Sequence, residues 1–348
     1  MQKNLAKRCI CRTILDITFV GKSIGFQFSW RPIISRSSSS IRITSLYAIL
    51  SDEDSHLISS FAASTDTHDT GCPAPLLLAR VSEMMRGMPD VASVTPTVCG
   101  LFGIAKPANC VAPPFNEVVA VAARRTVTKA LVFAADAIGA HLVRSYAEAF
   151  EPVTRHAPIA VQASAVMPSV TPVCFASMFT GAPPEIHGIR KSERPTLTCD
   201  TLFDALVRAG RRVAIVAVKN SSIDLIFRNR RIDYFSEAYD AEVVERTLNL
   251  VGADEHDFIL AYQQEYDDTM HATVPRSPQA LRAMANHIRN FDRVACKARD
   301  RWATDSHAIA FVSDHGTHID PSTGRGTHGS NMPDDLEVRL FWRVHFPV

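Results

Sequence analysis

Short apolar runs in this 348-residue chain lead into side chains that can bind cations. Ala130–Ala135 (ALVFAA) leads directly into Asp136. Phe258–Tyr262 (FILAY) leads through Gln263, Gln264, Glu265 and Tyr266 into Asp267, and His271 stands four residues further on. Ala308–Val312 (AIAFV) leads through Ser313 into Asp314, His315 and Gly316. A further histidine, His328, lies in Gly326, Thr327, His328, Gly329. Carboxylate oxygens and imidazole nitrogens together suit zinc, and also manganese or iron. Alone, an Asp-His-Gly is an ordinary turn and a lone Asp after a strand is a cap. Several carboxylates gathered in one place repel one another unless a cation neutralises them.

A second feature is a hydroxyl. In Met167–Gly181, Thr171 precedes Pro172, which predicts a helix start with Thr171 as the cap and proline as the first helical residue. Such a start offers free N–H groups and the positive end of a dipole, a natural seat for phosphate. A hydroxyl there that also meets a metal can attack phosphorus near neutral pH. Cys174, inside the same helix, has no partner at a suggestive spacing and is set aside as a rival nucleophile.

The elements that must position these groups follow from the apolar pattern. The three runs above and Val213–Val218 (VAIVAV) are short enough for buried strands. Thr201–Ala209 has helical spacing, with Leu202, Leu206 and Ala209 on one face. A longer helix is expected from Pro278 to Trp302, with Leu281, Met284, Ile288, Phe291, Ala295, Ala298 and Trp302 on one stripe and Ser277 as its cap. Strands alternating with helices predict an α/β fold with a mainly parallel central sheet and helices on both faces. In such sheets ligands gather outside the carboxyl ends of the strands. Asp136, Asp267 and Asp314 therefore belong to one edge.

Composition bounds the rest. With 46% hydrophobic and 21% charged residues and a net charge of +1, the chain is of globular type and has no global field toward nucleic acid. The eight cysteines form no CxxC pair and read as free or buried thiols. No apolar run reaches the roughly 18 residues of a membrane span. Residues 1–50 hold eight Lys/Arg, one acidic residue (Asp16) and the tract Ser37–Ser40, the composition of a leader or targeting segment. The expected organisation is a basic segment 1–65, disordered or a leader, followed by one catalytic domain, 66–348. Its motif-bearing core would be 129–345. A soluble, cytoplasmic location is favoured.

The stretch Pro168–Ile189, PSVTPVCFASMFTGAPPEIHGI, resembles the nucleophile segment of nucleotide pyrophosphatases and type I phosphodiesterases, a branch of the alkaline phosphatase superfamily. Asp136, then Asp267 with His271, then Asp314, His315 and Gly316, then His328 and Gly329 match in the family's order. The resemblance implies an alkaline-phosphatase-like fold and two divalent metals, zinc foremost. One would be held by Asp267, His271 and His328, the other by Asp136, Asp314, His315 and Thr171. It implies Thr171 as the nucleophile, a small phosphate ester (a nucleotide among the candidates) as substrate, and cleavage of phosphodiester or pyrophosphate bonds. A phosphomonoesterase, a phosphonate hydrolase, a phosphomutase and a non-catalytic relative acting as a binding module are the alternatives. Nothing around Thr171 resembles the Cys/Ser-x-Pro-x-Arg motif of sulfatases. Members of the family commonly place an asparagine or similar donor on the phosphate, and Asn220, at a strand end just after VAIVAV, is a candidate for it, with Lys219, Ser221 and Ser222 equally placed. His187 is expected to support its loop. Residues 1–125 have no counterpart in the family.

Overall fold

A computed structural model describes residues 88–347 and two earlier strands. Contacts divide the chain into Met1–Leu77 and Leu78–Val348. In the first unit, β1 (Ile14–Val20) pairs antiparallel with β2 (Ser23–Ser29). The remainder of the basic segment and the expected boundary at 65/66 lie outside the described residues.

The second unit is built on nine further strands: β3 (Lys129–Ala135), β4 (Ile159–Ser164), β5 (Val213–Val218), β6 (Asp233–Glu237), β7 (Phe258–Gln263), β8 (His307–Val312), β9 (His318–Ile319), β10 (Gly326–Thr327) and β11 (Glu337–His345). Seven of them form one sheet in the order β4-β11-β8-β3-β7-β5-β6. The run β8-β3-β7-β5-β6 is parallel, and β11 is antiparallel to both of its neighbours. The four apolar runs are thus strands within a residue of the expected bounds. β4, β6 and β11 carry too many polar residues to stand out as runs.

The central strand shows why the fold is layered. Ala130, Val132 and Ala134 of β3 enter one core, whereas Leu131, Phe133 and Ala135 enter the other. A strand buried on both faces needs helices over each, which is the α/β arrangement. On the second face Phe133 packs edge-on to Phe291 with ring centroids 5.6 Å apart, and Phe311 meets Phe291 at 5.3 Å. Aromatic pairs of this kind are worth about 0.5–1.5 kcal/mol beyond their buried area. Phe291 comes from the long helix Pro278–Arg301, whose start is capped by Ser277 accepting from Ala280 N at 3.0 Å. Its buried face differs slightly from the expected stripe: Leu281 is only half-buried, and His287 is fully buried.

Because β3, β7 and β8 are parallel neighbours, the segments after them emerge at one sheet edge. β4 has the same direction, being antiparallel to β11 as β8 is. The helix Thr171–Thr180 follows it. Among the described residues, no helix is long and apolar enough to cross a membrane.

Candidate metal centre and nucleophile

At this edge the predicted residues form two adjoining donor sets. Asp136, Asp314 and His315 each offer an atom within 4.8 Å of the others, and so do Asp267, His271 and His328. The sets touch through stacked imidazoles, with the His315 and His328 ring centroids 4.0 Å apart. In the first set His315 Nε2 is 3.2 Å from Asp314 Oδ2 and 3.6 Å from Asp136 Oδ1. In the second, Asp267 Oδ1 is 3.5 Å from His271 Nε2 and 3.6 Å from His328 Nε2. Most of these separations are long for hydrogen bonds. Two donors bound tetrahedrally to one zinc at 2.0–2.1 Å would stand about 3.3 Å apart, so the spacing suits a shared ion.

Each imidazole is turned the same way by the backbone. Nδ1 of His315 faces Gly316 O at 3.1 Å, Nδ1 of His328 faces Ser169 O at 2.9 Å, and Nδ1 of His271 faces Gly326 O at 3.1 Å. A carbonyl can only accept, so each Nδ1 carries the proton and each Nε2 keeps its lone pair for the centre. This is the support that metal-binding histidines need.

The carboxylates complete the fit. Asp267 Oδ1 and Asp314 Oδ2 are buried without a hydrogen-bond partner. Such atoms are costly unless a cation meets them. Burial pushes Asp314 up to about 8 and Asp267 to about 7, with Asp268 adding to the second. Asp136 is raised well above the usual range by burial and then by the charges of Asp314 and Asp267. Burial also lowers His328 to about 4 and His315 well below its ordinary value, the latter with help from His328 and His271. Neutral imidazoles beside crowded carboxylates suit divalent cations.

Thr171 lies beside the first set. Its Oγ1 is 3.3 Å from His315 Nε2 and donates to Asp136 Oδ1 over 3.5 Å. One detail differs from expectation. Val170, with extended backbone, is the cap, and Thr171 is the first helical residue with no capping bond from its side chain. Val170 O takes the N–H groups of both Val173 and Cys174, and Pro172 has none. The helix therefore contributes its dipole more than a cluster of free donors, and the Thr171 hydroxyl is left for the site. Cys174 is buried, its thiol pushed well above the ordinary value by burial and its Sγ 3.6 Å from Val166 O. His187 ties its own loop, with Nε2 2.9 Å from Ser177 Oγ and Nδ1 accepting from Ile189 N at 3.2 Å.

The chain around the donors is shaped to hold them. Asp267 and His271 are one turn apart on the helix Glu265–Ala272. A Cβ at Gly326 would strike Met270 of that helix, and Gly329 has φ 105°. Glycines are thus required on both sides of Thr327 and His328. Buried Asp335 closes the same loop: Oδ1 pairs with His318 Nδ1 at 2.7 Å, and Oδ2 accepts from Ser330 N and Oγ at 2.8 Å.

Sequence reasoning missed Tyr262. Its hydroxyl donates to Asp136 Oδ2, and its ring packs edge-on against Phe175 of the Thr171 helix at 5.5 Å. A tyrosine near the carboxyl end of an otherwise apolar run was the signal available. Asn220 is not drawn into this cluster by any side-chain hydrogen bond. It is exposed, with φ 64°; its N–H reaches Asp224 and its carbonyl takes Arg194. Ser221 caps a short helix by accepting from Asp224 N. In the basic run 228–231, Arg230 is a buried tie to Thr201, Asp204 and the carbonyls of Leu197 and Cys199.

No curated protein matches the chain. Among solved structures, phosphonoacetate hydrolase from Sinorhizobium meliloti 1021 in complex with phosphonoformate shares 20% identity, covering 55% of this chain and 56% of that one, with a TM-score of 0.43. Murine ectonucleotide pyrophosphatase/phosphodiesterase 5 shares 17% identity over 55% and 58%, with a TM-score of 0.44. The chain thus spans little more than half the length of the solved structures it matches. The sequence profile described as type I phosphodiesterase/nucleotide pyrophosphatase matches residues 131–321, more than half of the chain and a stretch that contains every predicted donor except His328. The chain belongs to the type I phosphodiesterase/nucleotide pyrophosphatase family, the branch of the alkaline phosphatase superfamily that its motifs resemble.

Proposed function

We propose that the chain is a metal-dependent hydrolase that cleaves phosphodiester or pyrophosphate bonds of a small phosphate ester, a nucleotide among them, with Thr171 as nucleophile. The observation that carries this reading is the Thr171 hydroxyl, 3.3 Å from His315 Nε2 and beside two adjoining carboxylate–histidine sets. Asp267, His271 and His328 would hold one divalent ion, and Asp136, Asp314 and His315 the other, with Thr171 next to it. Zinc suits the mixed oxygen and nitrogen donors best, with manganese and iron as alternatives. When bound, the two ions supply neutralising charge for the carboxylates, acidify a coordinated hydroxyl and stabilise charge on the phosphoryl oxygens.

The protein's own groups do the remainder. The helix start aims Thr171 Oγ1 at the centre, and its dipole favours an anionic group there. Thr171 Oγ1 bonds to phosphorus as the bond to the leaving oxygen breaks, which gives a phosphorylated or nucleotidylated threonine. Water then attacks the same phosphorus and frees the hydroxyl. His315, His328 and His271 keep Nε2 inward because Nδ1 is held by carbonyls. Tyr262 holds the second oxygen of Asp136.

The test is hydrolysis of a chromogenic phosphodiester beside the matching monoester, by metal-stripped and zinc-restored protein. Faster, zinc-dependent cleavage of the diester is expected. Preference for the monoester would move the activity to a phosphatase and leave the centre standing. Stoichiometric zinc binding with neither ester turned over would favour a non-catalytic relative.

A further inference from the structure

A third group of metal-type side chains, Asp240, Glu265 and His287, lies outside both donor sets. Its hydrogen bonds argue for a different role. Asp240 Oδ1 accepts the backbone N–H of Gln264 at 3.0 Å, and Oδ2 accepts that of Glu265 at 2.9 Å. These amides belong to the cap and first residue of the helix Glu265–Ala272, which has no capping side chain of its own. A cation at Asp240 would face the positive ends of those N–H groups and of the helix dipole. A carboxylate is what that helix start calls for.

Asp240 is itself held from elsewhere. It opens the helix Asp240–Ala253, and His287 of the long helix donates Nε2–H to its Oδ2 at 3.0 Å. Both side chains are almost wholly buried. Around them Gln263 donates to Asp240 O at 3.0 Å, and Asn286 donates to both carboxylate oxygens of Glu265 at 2.9 Å. Two helices thus converge on the junction between β7 and the helix that presents Asp267 and His271. Asp267 sits two residues beyond the capped Glu265, inside the turn whose first amides Asp240 anchors. A shift of that turn would move Asp267 relative to His328 and leave Asp136, Asp314 and His315, which hang from β3 and β8, in place.

We infer that Asp240, locked by His287, is a positioning residue for the Asp267–His271–His328 set: a cap supplied from a distant segment that fixes the helix presenting two of its three donors. This rests on the two-metal reading above. The experiment is zinc titration of the metal-stripped full chain against a chromogenic chelator. His328→Ala and His315→Ala assign the two classes of site. Asp240→Asn is expected to weaken the His328-dependent class by about 10–100-fold while the His315-dependent class stays within about threefold. Should Asp240→Asn fail to fold, His287→Gln decides. It keeps a donor in poorer geometry, so the same class weakens by a smaller factor, about threefold to tenfold. Equal weakening of both classes, or no change in either, in the variant that folds overturns the inference. An unsubstituted protein that takes up no zinc overturns the two-metal reading and this inference with it, a result visible before any variant is made.

Discussion

The Thr171 hydroxyl stands 3.3 Å from Nε2 of His315, with both side chains buried at the same sheet edge. Since Thr171 caps nothing, its hydroxyl can be removed without loss of a helix-stabilising bond. Thr171→Ala is therefore expected to lower kcat for a phosphodiester by about three orders of magnitude or more while the thermal midpoint stays within a few degrees. Thr171→Ser should retain part of the activity. Steady-state kinetics with thermal unfolding of both variants checks this.

Substitution of Asp267 is expected to act oppositely with and without metal. Its Oδ1 is buried without a partner and burial raises its pKa to about 7. Asp267→Asn removes a charge that the metal-free protein holds at a cost. The metal-free variant at pH 8 is expected to melt at or above the unsubstituted protein. Zinc should stabilise the unsubstituted protein, by about 2.7 kcal/mol at a hundredfold excess over Kd, and the variant much less. Thermal scans with and without chelator read both effects.

Tyr262 supplies the hydrogen bond on the outer oxygen of Asp136. Tyr262→Phe keeps the ring against Phe175 and deletes only that donor. Zinc affinity or kcat/KM is expected to fall about 10–100-fold, the scale for losing a group that orients a metal-binding side chain. Full activity in Tyr262→Phe would show that Asp136 is held without it.

Gly326 faces Met270 closely enough that any side chain must displace the helix carrying His271. Gly326→Ala is expected to cost about 1–3 kcal/mol of stability, as overpacking does, and to weaken zinc binding along with it. Chemical denaturation beside zinc titration measures the two together.

Acid should destabilise the protein through histidines away from the centre. Burial lowers His187 from 6.5 to about 4, and burial likewise lowers His307. Between pH 6.5 and 4 the unfolded chain then binds more protons at His187 than the folded one, and His307 acts in the same direction below pH 6.5, so stability rises with pH there. The contribution of His187 is complete above pH 6.5 and is lost as the pH falls toward 4. Denaturation midpoints taken between pH 4 and 8 should show this slope, and His187→Gln should flatten part of it.

Much of the site was legible because its pieces are local. An apolar run that ends in Asp136, or in Asp314 and His315, carries its strand and its donor together. Asp267 and His271 stand four apart in the sequence, and the helix Glu265–Ala272 turns that spacing into one helical turn. Thr171 before Pro172 marks a helix start, although the structure moved the cap to Val170. The parallel sheet followed from strands alternating with helices. That the carboxylates share one edge is a consequence of strands running in one direction.

What only the tertiary structure decided concerns partners far apart in sequence. The antiparallel β11, in the sheet between β4 and β8, has a mixed pattern that does not read as a buried strand. Tyr262 meets Asp136 across 126 residues, His287 meets Asp240 across 47, and Asp335 reaches His318 across 17. A buried polar group must find a hydrogen-bond partner, but any polar residue that folding brings near can serve, so sequence order does not name which. The sequence by itself named the candidate donors and their order. Burial and packing decided which nitrogen each histidine turns inward, and which distant carboxylates hold the donor loops in place.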